Sequence, residues 1–169
     1  MEEDVKQSLI KQFNLPEETI RIPRPRRIFL EISQEKFKEV FDFSVKELKF
    51  AILLTITGLD EQERFGVIYH LARETGAILN IKTSIPRDNP TLKTITPDFS
   101  NADIYERELM DLFGIKVEGL PPGNRYPLSD HWPNDQYPLR KDWKQEGVTF
   151  EQPREKQDVS EKSGGDQNA

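Results

Sequence analysis

A chain of 169 residues with 35% hydrophobic content carries enough apolar side chain for one domain of ordinary size, provided its ends stay outside the core. The absence of cysteine excludes disulfides, thiolate zinc sites and iron–sulfur ligation by this chain, and its two histidines, His70 and His131, match no zinc-binding spacing. A net charge of −6 argues against general nucleic-acid binding. No window reaches the roughly 20 apolar residues of a bilayer-crossing helix, and the acidic start Met1-Glu2-Glu3-Asp4 is unlike a signal peptide, so a cytoplasmic chain without its own membrane span is predicted.

Val5, Leu9, Ile10 and Phe13 recur at helical spacing, which predicts an amphipathic helix over residues 2–13 that ends near Asn14-Leu15-Pro16. Thr19 to Ile22 and Arg27 to Ile32 are short β-rich runs, and Pro23-Arg24-Pro25 between them forbids one continuous paired strand. Ser33 stands where a helix N-cap belongs, with Phe37, Val40 and Phe41 following on one stripe. Leu48 to Leu59, apolar and β-branched and punctuated by Gly58-Leu59-Asp60, is the most strand-like window and the expected central strand. Phe65 to Ala72 and the alternating Ala77 to Ile85 follow after short connections, which favours hairpins.

After Pro86-Arg87-Asp88-Asn89-Pro90 a helix-competent region leads into Pro97 to Gly114, with Gly114 at the position of a C-terminal cap. From Lys116 to Trp143, Pro121, Pro122, Pro127, Pro133 and Pro138, with Gly119 and Gly123, argue against regular structure. An ordered stretch of that kind needs a surface to lie on, because it cannot satisfy its own backbone groups. The expected organisation is an α+β domain over 1–115, with a small, mainly antiparallel sheet packed with helices. An irregular, partner-wrapping extension over 116–145 and a polar, disordered tail over 146–169 follow.

Projecting Asp103 to Phe113 at about 100° per residue gathers Tyr105, Leu109, Leu112 and Phe113 into one core-facing stripe. Asp103, Arg107 and Asp111 fall opposite it at i, i+4 and i+8, so Arg107 can pair with either acid, each exposed pair contributing about 0.2–0.5 kcal/mol. Glu106 and Glu108 project at the borders of the stripe, where a partly desolvated carboxylate needs a cation, and Arg125, Arg140 or Lys141 are the natural suppliers. Two residues apart on a helix, these glutamates point to nearly opposite sides and cannot flank one substrate atom.

Ala102-Asp103, Glu106-Arg107-Glu108, Asp111-Leu112-Phe113-Gly114-Ile115, Glu118-Gly119, Asn124-Arg125, Asp130-His131-Trp132 and Pro138-Leu139-Arg140-Lys141-Asp142-Trp143 together resemble, in order and spacing, the signature of the C-subunit family of complex I, the NADH:quinone oxidoreductase. The N-terminal portion resembles that family in length and element order. The family includes the corresponding subunits of energy-converting, membrane-bound nickel–iron hydrogenases and of sulfur-reducing archaeal complexes. The chain departs from the complex I pattern at Leu120, where a histidine is expected, and it is short; with its charge-rich composition, this tilts the resemblance towards the archaeal hydrogenase type.

The resemblance implies a non-catalytic structural subunit, peripheral on the cytoplasmic face of the cell membrane. It would belong to the cytoplasmic arm of a ferredoxin-linked redox complex and bind no cofactor. Its implied partners are a large hydrogenase-like catalytic subunit, a small iron–sulfur subunit and, through the complex, a membrane module. The iron–sulfur clusters and the nickel–iron centre would sit in those partners. Glu106, Arg107, Glu108, Asp111, Arg125, His131, Trp132, Arg140, Lys141, Asp142 and Trp143 are the implied partner contacts. The alternatives are the equivalent subunit of a sulfur-reducing or quinone-reducing relative, and a stand-alone hydrolase using Glu108, Asp111 and His131.

Four further features carry weaker signals. Arg21, Arg24, Arg26 and Arg27 could grip phosphate, anionic lipid or RNA, but the interleaved prolines and the lack of an aromatic platform favour an acid-pairing edge within a complex. His131-Trp132 could line a proton path or touch a quinone-like site, and reads better as a wedge packed at an interface. His70 reads as a hydrogen-bonded sheet residue, and the spacing of Gly114, Gly119 and Gly123 makes no phosphate loop.

Overall fold

The computed structural model describes residues 1–145. The chain runs from helix α1 (Glu2–Phe13) through one 3₁₀ turn (Glu17–Thr19) to strands β1 (Ile20–Arg24) and β2 (Arg27–Glu31) and helix α2 (Gln34–Lys46). Strands β3 (Ile52–Asp60), β4 (Arg64–Ala72), β5 (Ile78–Pro86) and β6 (Thr91–Lys93), helix α3 (Ala102–Phe113) and strand β7 (Lys116–Glu118) complete it. Strands β3, β4 and β5 form an antiparallel meander, and α2 returns the chain from the β1–β2 hairpin so that β2 pairs in parallel with β5. The resulting five-stranded sheet has the order β1-β2-β5-β4-β3, which is the mixed α+β class expected from the sequence.

Alternation along the strands sends Ile28 and Leu30, Phe65, Val67, Tyr69 and Leu71, and Leu79, Ile81 and Ile85 to one buried face. Helix α1 adds Val5 and Leu9 to this core, and α2 adds Phe37, Val40 and Phe41, with the rings of Phe37 and Phe41 lying 4.5 and 5.9 Å from that of Tyr69. Each large side chain taken fully out of water contributes about 1.5–3 kcal/mol, so this aromatic and aliphatic layer is what holds the helices on the sheet. The opposite face carries half-buried Arg27, Phe29, Ile68, His70, Ile78 and Lys82, and is not roofed by a helix. Among the described residues, no helix is long and apolar enough to cross a membrane.

Several expectations need correction. Strand β3 is an edge strand, not the central one, and residues 48–51 precede it. Its apolar character reflects α3, which packs along it: the Asn101 side-chain amide donates to Leu53 O at 3.1 Å and the Tyr105 hydroxyl to Leu54 O at 2.9 Å, so side chains stand where a neighbouring strand would be. Pro23 lies inside β1; it is tolerated because β1 is the other edge and its register slips between Arg21 and Arg24. Strand β7 falls within the stretch expected to be irregular and pairs in parallel with β6. Ser33 occupies the N-cap position of α2, but its hydroxyl makes no hydrogen bond to the helix N–H groups. The tail predicted over 146–169 lies outside the described residues.

Helix α3 can approach β3 because residue 58 has no side chain: a Cβ built there would lie 2.5 Å from Phe113 Cε2 and 2.8 Å from Leu109 Cδ2. Gly58→Ala should therefore cost about 1–3 kcal/mol by over-packing, read as a lower urea midpoint at unchanged m-value. An unchanged midpoint would mean that α3 can shift outwards freely.

Candidate docking site

The segment singled out by the sequence is α3 together with the chain from Gly119 to residue 145. Helix α3 buries Ala102, Leu109 and Phe113 and ends at Gly114, whose φ of 68° and ψ of 29° are readily adopted only by a residue without Cβ. That C-terminus is capped by the extension: Arg140 Nε donates to Phe113 O at 2.7 Å and Leu139 N–H to Leu112 O at 3.1 Å. The Arg140 guanidinium also lies over the rings of Tyr137, 4.3 Å away, and Phe65, 5.2 Å away. Its cation thus meets both the negative end of the helix dipole and two π faces.

Glu106 is not at the border of the apolar stripe but inside the core, with 1% of its surface exposed. No cation among the described residues pairs with it; one oxygen accepts the Ile95 N–H at 2.8 Å and the other the Thr94 hydroxyl at 2.6 Å. Burial raises its pKa above the ordinary 4.5, with a smaller push from the Asp103 charge, and the two hydrogen bonds offset part of that. Its role is to tie α3 to the segment after β6. Glu108 is half-buried and has no ion pair or hydrogen bond among the described residues.

The charge ladder forms only in part. Arg107 grips Asp103, with Nη2 at 2.8 Å, and reaches the Pro121 carbonyl at 2.6 Å, passing a point where a Cβ on residue 123 would collide with it. Asp111 instead takes Arg125 Nε at 2.9 Å and the Leu128 N–H at 3.2 Å. Arg125 also donates to the Trp132 carbonyl at 2.8 Å. Trp132 and Trp143 stack with centroids 6.0 Å apart, and their indole N–H groups donate to the Gln136 carbonyl and side-chain oxygens. His131 and Lys141 expose their side chains, and no hydrogen bond joins Glu108, Asp111 and His131 to one another.

One residue that joins the extension to the sheet was read in the sequence only as part of a turn. Asp60, at the end of β3, has 2% of its side chain exposed and accepts Arg87 Nη1 at 2.8 Å, the Lys141 N–H at 2.8 Å and the Gln62 N–H at 2.7 Å. Burial alone would raise its pKa, but these donors together hold it below the ordinary 3.8. Arg87 bridges onwards to Asp142 at 2.6 Å. The available sequence signal was a carboxylate closing an apolar strand, which must find donors wherever it is buried.

What remains outward is an apolar surface. Met110, Tyr126 and Leu139 are 38%, 45% and 51% exposed. A hollow of about 410 Å³, lined by Arg107, Met110, Gly123, Arg125, Tyr126 and Tyr137, opens between α3 and the extension.

Two outcomes follow from these buried carboxylates. A carboxyl whose folded pKa is raised stabilises the fold fully below its unfolded pKa, near 4.5, and that contribution is lost as pH rises through the folded value. The unfolding free energy of wild type minus that of Glu106→Gln should therefore fall with rising pH above about 4.5, and a flat difference would contradict the assignment. Asp60→Ala should release the extension and speed tryptic cleavage after Arg125 and Arg140 at least ~10-fold, the equivalent of roughly 1.4 kcal/mol of lost docking; an unchanged cleavage rate would show that Arg140 alone suffices.

Residues 30–149 match the family described as respiratory-chain NADH dehydrogenase, 30 kDa subunit. The C-subunit of the F420H2 dehydrogenase of Methanosarcina mazei is 30% identical over 119 residues, covering 66% of this chain and 75% of that one. The C/D-subunit of the NADH-quinone oxidoreductase of Photorhabdus laumondii is 31% identical over 143 residues, but this chain spans only 24% of its length. Among solved structures, the trypsin-resistant fragment (1–134) of Nqo5 superposes with a TM-score of 0.61 at 28% identity, over 73% of this chain and all of the fragment. A chain of the membrane-bound sulfane sulfur reductase, an archaeal respiratory membrane complex, superposes with a TM-score of 0.67 at 26% identity, over 85% of each chain. Motif, fold and comparisons agree: this chain belongs to the 30 kDa subunit family of the respiratory-chain NADH dehydrogenase.

Proposed function

We propose that this chain is a non-catalytic assembly subunit of a complex I-like redox complex, and that α3 and its extension form the face on which the large catalytic subunit docks. One observation carries the reading. The extension's arginines are consumed internally, by Asp111 and by the C-terminus of α3, which fixes the extension as a platform while Met110, Tyr126 and Leu139 stay exposed. A surface of partly exposed large apolar groups beside polar residues fits an interface better than a substrate site. In this role Trp132 and Trp143 shape the platform by stacking on each other, and Lys141 and His131 offer exposed side chains at its rim.

The finer reading places the chain in the cytoplasmic arm of a ferredoxin-linked, membrane-bound nickel–iron hydrogenase, peripheral on the cytoplasmic face. The small iron–sulfur subunit and the membrane module complete the assembly, and all clusters and metal lie in the partners. The departure at Leu120 supports this reading. A sulfane sulfur-reducing complex is the second reading, favoured by the superposition on a chain of that archaeal complex. Sequencing the co-purifying large subunit separates them, since two CxxC pairs in it support the nickel–iron centre and loss of a pair supports the other terminal reaction.

Met110→Glu with Leu139→Glu, in the tagged chain within its native complex, should lower recovery of the large subunit at least ~10-fold, as expected for central apolar positions of an interface, while the tagged chain keeps its far-UV circular dichroism. Equal recovery from both complexes would defeat the docking assignment.

A further inference from the structure

The unroofed face of the sheet holds a second hollow, of about 290 Å³, whose walls include Arg24, Arg27, Phe29, Leu54, His70 and Ile78. Strand register explains its composition. Ile52, Ala72, Ile78, Arg27 and Arg24 succeed one another across β3, β4, β5, β2 and β1 as a single cross-strand row, so an apolar track leads directly to two facing guanidinium groups. A register slip between Leu53 and Thr55 leaves Leu54 as an extra residue in β3, turned out beside this track and 41% exposed, next to Ile52 at 46%.

The floor is held firmly. Asn80 Nδ2 donates to the Ile28 carbonyl at 2.9 Å, which leaves Asn80 Oδ1 to accept from His70 Nδ1 at 2.6 Å, and His70 Nε2 hydrogen-bonds with the Thr57 hydroxyl at 3.0 Å. A carbonyl oxygen cannot donate, so Nδ1 carries the proton of its bond to Asn80. His70 is thereby tied to the sheet through both ring nitrogens, and the arginines bring charge to the hollow.

Arg21, Arg24, Arg26 and Arg27 make no side-chain ion pair among the described residues, and Arg24 and Arg27 are the two that meet in this hollow. Arg64, Arg87, Arg107 and Arg125 each pair with a carboxylate, and Arg73 and Arg140 lie over aromatic rings. Arg24 and Arg27 face each other across the hairpin with no carboxylate on either among the described residues; Arg27 donates only to the Arg26 carbonyl, at 2.9 Å. Like charges directly opposite on paired strands are destabilising, and this chain, at −6, has acids to spare for neutralising them.

We propose that this hollow is a second docking site, taking a segment of a partner subunit that presents a carboxylate to Arg24 and Arg27 and adjacent aliphatic side chains to Ile78, Leu54 and Ile52. Two guanidinium forks suit a planar carboxylate. The apolar track excludes a purely electrostatic partner, and the net negative charge opposes anionic membranes and nucleic acid at longer range. The site rests on the chain being an assembly subunit, but lies on the sheet face and not on the α3 platform, so either surface can fail without the other.

The test is photo-cross-linking in the intact complex from p-benzoylphenylalanine placed at Ile52, which leaves both arginines unchanged. The cross-linked product should be a partner-subunit peptide carrying Asp or Glu within a few residues of aliphatic side chains. Its yield should drop at least tenfold in Arg24→Glu/Arg27→Glu and persist in Arg24→Lys/Arg27→Lys. Cross-links to lipid, to RNA, to a peptide without a carboxylate, or to no partner would overturn the proposal, as would a yield indifferent to charge reversal. Loss of the large subunit from Met110→Glu/Leu139→Glu with no such cross-link would remove this site and leave the α3 platform standing.

Discussion

A buried carboxylate must be answered, and the way Asp60 is answered determines how the second half of the molecule is arranged. Its position at the end of β3, with almost no exposed surface, makes an unpaired charge there prohibitive, by several kcal/mol. The donors come from three places: the turn after β3, the end of the β5 region through Arg87, and the backbone of Lys141 far along the chain. A proline-rich segment with little hydrogen bonding of its own is thereby pinned to the sheet. Arg140, one residue before, is brought to the end of α3 by the same anchorage.

Once the extension is pinned, the side chains of α3 divide into two kinds. Those of Glu106 and Phe113 bind the helix inwards, one by accepting hydrogen bonds from the Thr94–Ile95 segment and the other by packing against Phe65 at 6.0 Å. Those of Arg107 and Asp111 bind the extension sideways. Met110 and Glu108 are used for neither. Glu106 fits this division, because hydrogen bonds from backbone and hydroxyl groups hold a carboxyl in place without requiring a full ion pair in the core. Asp111 sits nearer the surface, where a guanidinium can reach it without being buried as deeply.

The sequence made the helices and the meander legible, because apolar spacing and Gly or Pro punctuation are local properties. It also singled out α3 and the chain to Trp143 as the candidate docking region. What it did not show depends on distant partners. The apolar run over β3 has the composition of a central strand because one edge is covered by another strand and the other by Asn101 and Tyr105, and composition does not distinguish those covers. The three-residue pairing of β6 with β7 is too short to leave a periodic signal. Helical projection identified the Arg107–Asp103 pair, yet assigned Asp111 to the same arginine, whereas Arg125, fourteen residues on, reaches it. Arg125, Arg140 and Lys141 were recognised as counter-charges; their true acceptors were Asp111, the helix carbonyl end and, through the Lys141 backbone alone, Asp60.

The unequal treatment of arginines separates the two faces of the sheet. On the helix-covered side, cations are spent in fastening α3 to the extension, so the exposed surface there is mostly apolar. On the open side, the hairpin Arg24 and Arg27 stay unneutralised among the described residues and border apolar Ile78 and Leu54. A monomer would gain by covering the first surface and by pairing the second, and nothing in the described fold does either. The two faces therefore call for partner segments of opposite character, one supplying apolar side chains and the other a carboxylate. That pattern suits the subunit proposed above: its charges are balanced where they set its shape and left unbalanced on the open face.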